Sequence, residues 1–226
     1  MSQSRRIARL EVIPIVKEVM KLLEINTVSA MVCGSIRRNK ETVGDVDIVV
    51  QPQSLPDYLD MLDEFIELQY FGRGVNSGGR ETWGDTKRLL TYKGINFDVI
   101  IADEHQLGYK LWLSTGPSMA NTAMMVLLKE KISPVRMADG YMWHVSYNRK
   151  HPKFEKQREF ARLGKLHVPD EETFFKIIGM AFCHPQWRSE TYYKKFLWKD
   201  GQPSKEFLEA QYVEGSKPLL QQSLFD

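Results

Sequence analysis

Asp45 and Asp47 stand two residues apart in an apolar, β-branched run, Asp45-Val46-Asp47-Ile48-Val49-Val50. Alternate residues of a strand share a face, so the two carboxylates project together while Val46, Ile48 and Val50 turn the other way. Adjacent carboxylates repel, and burying either is costly without a positive partner. A shared Mg²⁺ resolves the conflict, because hard divalent cations take oxygen ligands. Asp98, flanked by Phe97 and Val99 in a second apolar run, can reach the same place from an adjacent strand. Three carboxylates on one sheet face suit a two-metal phosphoryl-transfer centre. The plainer alternative is a solvent-facing edge carrying two aspartates, with an unrelated third elsewhere.

Upstream lies Gly34-Ser35-Ile36-Arg37-Arg38, directly after a short apolar run. If Ser35 starts a helix, the free backbone N–H groups there can bind phosphate. Gly34 permits close backbone approach. The Ser35 hydroxyl and the Arg38 guanidinium add donors suited to a triphosphate, and Gly44 offers a further N–H. Taken alone, Gly-Ser is a simple turn and Arg37-Arg38 a solvated pair.

These groups need elements to hold them. Apolar residues at Ile7, Leu10, Ile13, Val16, Val19, Met20 and Leu23 predict an amphipathic helix despite Pro14. Ala30–Cys33 and Asp45–Val50 read as strands. Leu55, Leu59, Leu62, Phe65 and Ile66 have helical spacing after Ser54, a candidate cap. Residues 72–86 read as a polar, Gly-rich loop. Leu89–Tyr92 and Phe97–Ile101 read as a hairpin around Lys93-Gly94. Beyond Leu107, helices are expected over Ser118–Ile132 and Glu171–Met180, with a strand pair around Gly140–Tyr147. Phe174, Phe175 and Ile178 read as core, and the tryptophans as packing groups. The fold class is therefore α+β, a mixed sheet with helices followed by a small α/β unit. The expected domains are residues 1–107, 108–200 and a polar tail over 201–226.

Composition bounds the function. The 226 residues are 42% apolar and 27% charged, an ordinary globular balance. No run approaches the ~20 apolar residues of a membrane helix, and no export signal follows the first residues. Two distant cysteines, Cys33 and Cys183, suggest neither a disulfide framework nor a zinc cluster. A reducing cytoplasm, bacterial or phage-infected, is expected, with no membrane partner and a monomeric state. The net charge of +2 says little about a polyanion partner, but its distribution says more. Arg149, Lys150, Lys153, Lys156, Arg158, Arg162 and Lys165 crowd one stretch against Glu155 and Glu159. Such a stretch can contact phosphates, or it can be a solvated face.

The segment GSIRRNKETVGDVDIVV resembles the family X DNA polymerase signature, in which Gly-Ser and an arginine pair precede Gly-Asp-X-Asp. Asp98 in INFDVII fits that family's third carboxylate. STGPSMANTAM resembles its Thr-Gly-Ser turn and following Asn, and EETFFKIIGMAFCHPQWRSE its C-terminal Pro-X-X-Arg-X-Glu signature. The resemblance implies a polymerase beta-like nucleotidyltransferase palm followed by a thumb. It implies two Mg²⁺ ions, with Mn²⁺ as a substitute, held by Asp45, Asp47 and Asp98. It implies deoxynucleoside triphosphates held by Gly34, Ser35, Arg38 and Gly44, with Thr115, Gly116 and Asn121 near sugar and base. The 3′-hydroxyl of primer-template or gapped DNA attacks the α-phosphorus in line, and pyrophosphate leaves. Arg188 joins the basic stretch as a DNA contact. DNA repair or replication is the expected setting.

The sequence also departs from that family's polymerase beta branch. Leu113 and Ser114 replace an aromatic pair, and Met125 stands where that branch has an arginine. Asp45 follows only 44 residues, which leaves no room for lyase and fingers domains, so a reduced palm–thumb form is expected. An untemplated nucleotidyltransferase and a non-catalytic DNA-binding adaptor are the competing classes. The final residues, Gln221-Gln222-Ser223-Leu224-Phe225, resemble a bacterial sliding-clamp-binding peptide, with Gln221, Leu224 and Phe225 as anchors.

Overall fold

The computed structural model describes residues 6–76, 78–119, 121, 122, 125, 135–147, 160–178 and 182–188. Arg149, Lys150, Lys153, Lys156, Arg158, the peptide at Gln221, Leu224 and Phe225, and most of the helix expected over 118–132 lie outside the described residues. The chain divides into two compact units. One comprises Met1–Asp103, Leu113–Gly116 and Pro185–Trp187; the other comprises Glu104–Trp112, Pro117–His184 and Arg188–Asp226. A single cut at 107/108 therefore does not describe the division. No helix among the described residues is long and apolar enough to cross a membrane.

The first unit opens with β1 (Ile7–Ala8), which pairs with β3 (Thr42–Val43), and continues directly into α1 (Arg9–Leu23). Helix α1 buries Val12, Val16, Val19 and Leu23, a spacing of alternating four and three residues. The helical period was legible, but the buried stripe passes through Val12 rather than Leu10, which is 79% exposed. Pro14 is exposed inside this helix. The hydrogen bond it forfeits belongs to the carbonyl of the exposed Leu10, where water can replace it. Helix α3 (Leu55–Glu67) has Pro56 in its first turn and buries Tyr58, Met61, Leu62 and Phe65. Ser54 precedes it but makes no side-chain capping bond. Tyr58 Oη donates to Leu23 O at 3.0 Å, tying α3 to the end of α1.

A five-stranded mixed sheet carries these helices, in the order β2–β4–β7–β6–β5. Its strands are β2 (Thr27–Val32), β4 (Val46–Pro52), β5 (Gly72–Arg73), β6 (Lys87–Tyr92) and β7 (Ile95–Ile101). Strands β4 and β7 are parallel, and the other pairings are antiparallel. Lys93 and Gly94, both at positive φ, close the β6–β7 hairpin, as the primed hairpin turns require. The segment 72–86, expected to be loop, supplies β5 and an isolated Trp83↔Arg88 bridge. Trp83 stacks between the guanidinium groups of Arg73 and Arg88 and donates to Asp63 Oδ1 at 2.7 Å. These side-chain contacts fix a stretch whose Gly-rich composition read as irregular. Val46, Ile48, Val50, Phe97, Val99 and Ile101 join α1 and α3 in one core. Their alternation leaves the residues between them on the opposite face of the sheet.

In the second unit, β8 (Val135–Ala138), β9 (Tyr141–Tyr147) and β10 (Phe160–Lys165) form an antiparallel sheet in the order β10–β9–β8. Residues Leu107–Trp112 of α4 (Leu107–Thr115) belong here, as does α5 (Glu171–Ile177). Asp170 caps α5, its carboxylate accepting from Thr173 N at 2.7 Å. Tyr109, Trp112, Val135, Met142, Val168, Phe174, Phe175 and Ile178 share the core, with Trp112 stacked on Phe174 at 4.6 Å. The packing of Trp112 and the Phe174, Phe175 and Ile178 core were legible from sequence, whereas Trp187, also expected to pack, is 69% exposed, and Trp198 lies outside the described residues.

Arg188 belongs to this core and not to an outward face. Its side chain is fully buried, donates to Glu171 Oε1 at 2.7 Å, and makes two bonds to Cys183 O. Such a group is a strut and does not meet a DNA phosphate, which corrects the surface role expected for it. Removing one partner of a buried pair strands the other charge, at a cost of about 3–5 kcal/mol. Arg188→Ala should therefore lower the urea midpoint of the protein sharply, whereas replacing Arg188 and Glu171 together by Met and Leu should cost much less. Denaturation of the three proteins side by side measures the difference.

Candidate active site

The parallel pairing of β4 and β7 sets Asp47 directly beside Asp98. Both are half-buried, and both lie on the face turned away from α1 and α3. Neighbouring strands are about 4.8 Å apart, so the two carboxylates are first neighbours. Asp45, exposed, immediately precedes β4 on the same alternation. The three aspartates are thus brought together by one strand and its parallel partner.

Gly34 covers this pair. It opens the single turn α2 (Gly34–Arg37) at a φ of +61°. The preceding Cys33 N donates to Asp47 O at 2.7 Å, which anchors the turn on β4. A Cβ at residue 34 would collide with the Asp47 carboxylate. Only glycine satisfies both the left-handed backbone and this close approach. Gly34→Ala should cost about 2–4 kcal/mol from the strained φ and the collision together, and should displace Asp47. A lowered denaturation midpoint together with lost activity is the expected result; a midpoint equal to wild type would show that the turn can open freely.

The electrostatics are unbalanced in favour of negative charge. Burial first, and then the charges of Asp45 and Asp98, push the Asp47 carboxyl up to about 7. Lys87 and Arg38 oppose the shift only partly. Lys87 projects from β6 and holds Asp98 Oδ2 at 2.5 Å. Among the described residues, no three His, Cys, Asp or Glu side chains stand together as a ready-made metal-ligand set. The donor chemistry nevertheless fits a hard divalent cation: all the ligands are carboxylate oxygens, and their mutual repulsion calls for added positive charge. Asp45, Asp47 and Asp98 are the residues that could hold one.

The groups expected around a nucleotide are placed as follows. Ser35 Oγ is buried and makes no hydrogen bond, an orphan donor beside the carboxylates' glycine. Gly44 lies half-buried immediately before Asp45. Arg38 Nη1 donates to the Thr115 carbonyl, and Arg37 Nη1 donates to Thr115 Oγ1 at 2.8 Å. Thr115 is fully buried. Its hydroxyl accepts from Arg37. Gly116 follows at a φ of +66°, in the first unit. Asn121 belongs to the second unit, where its N–H bonds to Pro117 O. Arg162, also in the second unit, pairs with Asp139 at 2.6 Å and lies over the Trp143 ring.

Two participants escaped the sequence reading. Arg37 was taken as one of a solvated pair, but it binds Thr115. Lys87 falls between the loop read over 72–86 and the strand read from Leu89, and had no role assigned. A signal for Lys87 existed: a two-residue turn at Lys93-Gly94 sets Leu89 opposite Asp98, and Lys87 follows on the same face.

The family model for the DNA polymerase beta palm matches residues 6–69. That span runs from β1 through α3 and includes Gly34, Ser35, Arg38, Gly44, Asp45 and Asp47; Lys87 and Asp98 lie beyond it. This segment is therefore similar to a polymerase beta-like palm. No curated protein matches the chain.

Proposed function

We propose that the protein is a nucleotidyltransferase of the family X type, in reduced palm–thumb form, that extends a DNA primer under template direction, with short-gap filling in repair or replication as its setting. The observation that carries this reading is the in-register Asp47–Asp98 pair beside Gly34 and Asp45, on a sheet whose strands β2 and β4 lie in the segment that matches a polymerase beta palm. Divalent ions held by the three aspartates would neutralise the triphosphate and favour the alkoxide of the attacking hydroxyl. Asp98 takes the proton of that 3′-hydroxyl in this reading. Asp45 and Asp47 would hold the ions, which would supply positive charge to the phosphates. The unpartnered Ser35 hydroxyl donates to a phosphate oxygen, and Gly34 keeps the approach open. Arg38 and Gly44 complete the triphosphate cradle, with Gly116, in the same unit, on the sugar side. The charged stretch from Arg149 to Lys165 is the proposed DNA contact, and the terminal Gln221, Leu224 and Phe225 a proposed clamp tether.

Incorporation of single deoxynucleotides on gapped, nicked, single-stranded and template-free primers, with Mg²⁺ or Mn²⁺, tests the reading. Insertion of the template-complementary nucleotide on gapped DNA is the expected result. Insertion that ignores the template base would replace it with untemplated transfer. No insertion on any substrate, with DNA binding retained, would replace it with a binding module.

A further inference from the structure

We propose that Lys87 is the site's own counter-cation: it neutralises Asp98 while no divalent ion is bound, and it must leave that carboxylate for the ion to bind. The inference rests on the reading that Asp45, Asp47 and Asp98 hold a divalent cation. The geometry is specific. Lys87 stands on β6, one strand beyond β7, and Asp98 faces Leu89 across the β6–β7 ladder. Alternation puts Lys87 on the same face as Leu89, so its stem reaches diagonally to Asp98. Its ammonium sits 2.5 Å from Asp98 Oδ2.

The exposures of the two side chains explain why this pair can exchange. The Asp98 side chain is 18% exposed and the Lys87 side chain 39%. Asp98 therefore needs a positive partner in place, whereas a lysine this open can withdraw into water on its flexible stem. Arg88, the next residue, shows the contrast. It is buried on the other face, locked to Leu59 O at 2.8 Å and to Asp63, and cannot swing away. An ammonium and a divalent ion on one carboxylate repel each other, so occupancy by either weakens the other. Ion affinity at this site is thus the balance of an exchange, and not simply the sum of three carboxylate contributions.

The test is a titration of the full chain with Mn²⁺, in the absence of nucleotide and DNA, followed by electron paramagnetic resonance of the free ion. Wild type, Lys87→Met, Lys87→Gln, Lys87→Arg and Asp98→Asn are compared. Removing the lysine charge should tighten Mn²⁺ about tenfold, the effect of one well-formed ion pair. Lys87→Arg, which keeps the charge, should not tighten it. Thermal melting in chelator should show the reverse order, with Lys87→Met and Lys87→Gln below wild type and recovering on addition of Mn²⁺. Saturable wild-type binding that Asp98→Asn weakens, with Lys87→Met and Lys87→Gln both at wild-type affinity, would overturn the role of Lys87 and leave the carboxylate site standing. No saturable Mn²⁺ binding by wild type would overturn both.

Discussion

Asp98→Asn should abolish nucleotide incorporation, by about a thousandfold or more, while the protein remains folded. Asparagine keeps the shape of the side chain and removes its charge and its ability to take a proton. Under the proposed function Asp98 is both a ligand and the proton acceptor; losing the two together would remove several kcal/mol of transition-state stabilisation, and each 1.36 kcal/mol is tenfold in rate. The cost to the fold is small. Asp98 packs no apolar surface of its own, and the lysine it releases is already 39% exposed, so the stranded ammonium is solvated. Single-turnover incorporation at saturating nucleotide, with a melting curve for the same preparation, measures both. Turnover within a few-fold of wild type would remove Asp98 from the chemistry. A collapsed melting curve would show that the Lys87–Asp98 pair carries the sheet instead.

Asp47→Asn should stabilise the metal-free protein, and only toward neutral and alkaline pH. The folded-state pKa is raised, from the ordinary 3.8 to about 7, first by burial and then by Asp45 and Asp98. A raised pKa contributes stability below the unfolded value, and that contribution is lost as pH rises through the folded value. Between pH 4 and 7 the unfolded chain has released this proton and the folded protein retains it. Wild type therefore loses stability across that window, whereas the neutral amide does not titrate. The difference between variant and wild type should be near zero at pH 4 and on the order of 2–4 kcal/mol at pH 8. Urea denaturation in chelator at pH 4.5, 6 and 8 measures it. A divalent ion should narrow the gap by stabilising wild type alone. Equal stability of the two proteins at every pH would mean that Asp47 ionises as freely as a surface aspartate. Carboxylates crowded and partly buried in this way are costly when nothing neutralises them.

Local order explains what could be read from residues alone. Asp45 and Asp47 share a face because the strand period is two, a property of the backbone that needs no partner. The hairpin at Lys93-Gly94 is similarly local, since a two-residue turn fixes the register of the strands it joins. Its consequence, the placing of Lys87 against Asp98, was available from that register but was hidden because the strand read from Leu89 stops two residues short of Lys87. The buried stripe of α1 was legible as a period and not as a phase: the choice of Val12 over Leu10 depends on how the helix is rolled against the sheet.

By itself the sequence determined that two carboxylates lie on one strand face, that a glycine turn precedes them, and that the chain is a mixture of helices with a compact sheet. Only the tertiary structure decided that β7 lies parallel to β4 and in register with it, because strand pairing across 50 residues depends on the shared core of Val46, Ile48, Phe97 and Val99 and on no local rule. It also decided which arginines are struts. Arg37 reaches Thr115 and Arg188 reaches Glu171, each committed to a buried partner far along the chain. A guanidinium reads the same in sequence whether it ends in water or against a buried oxygen; burial leaves it no choice but to find that oxygen.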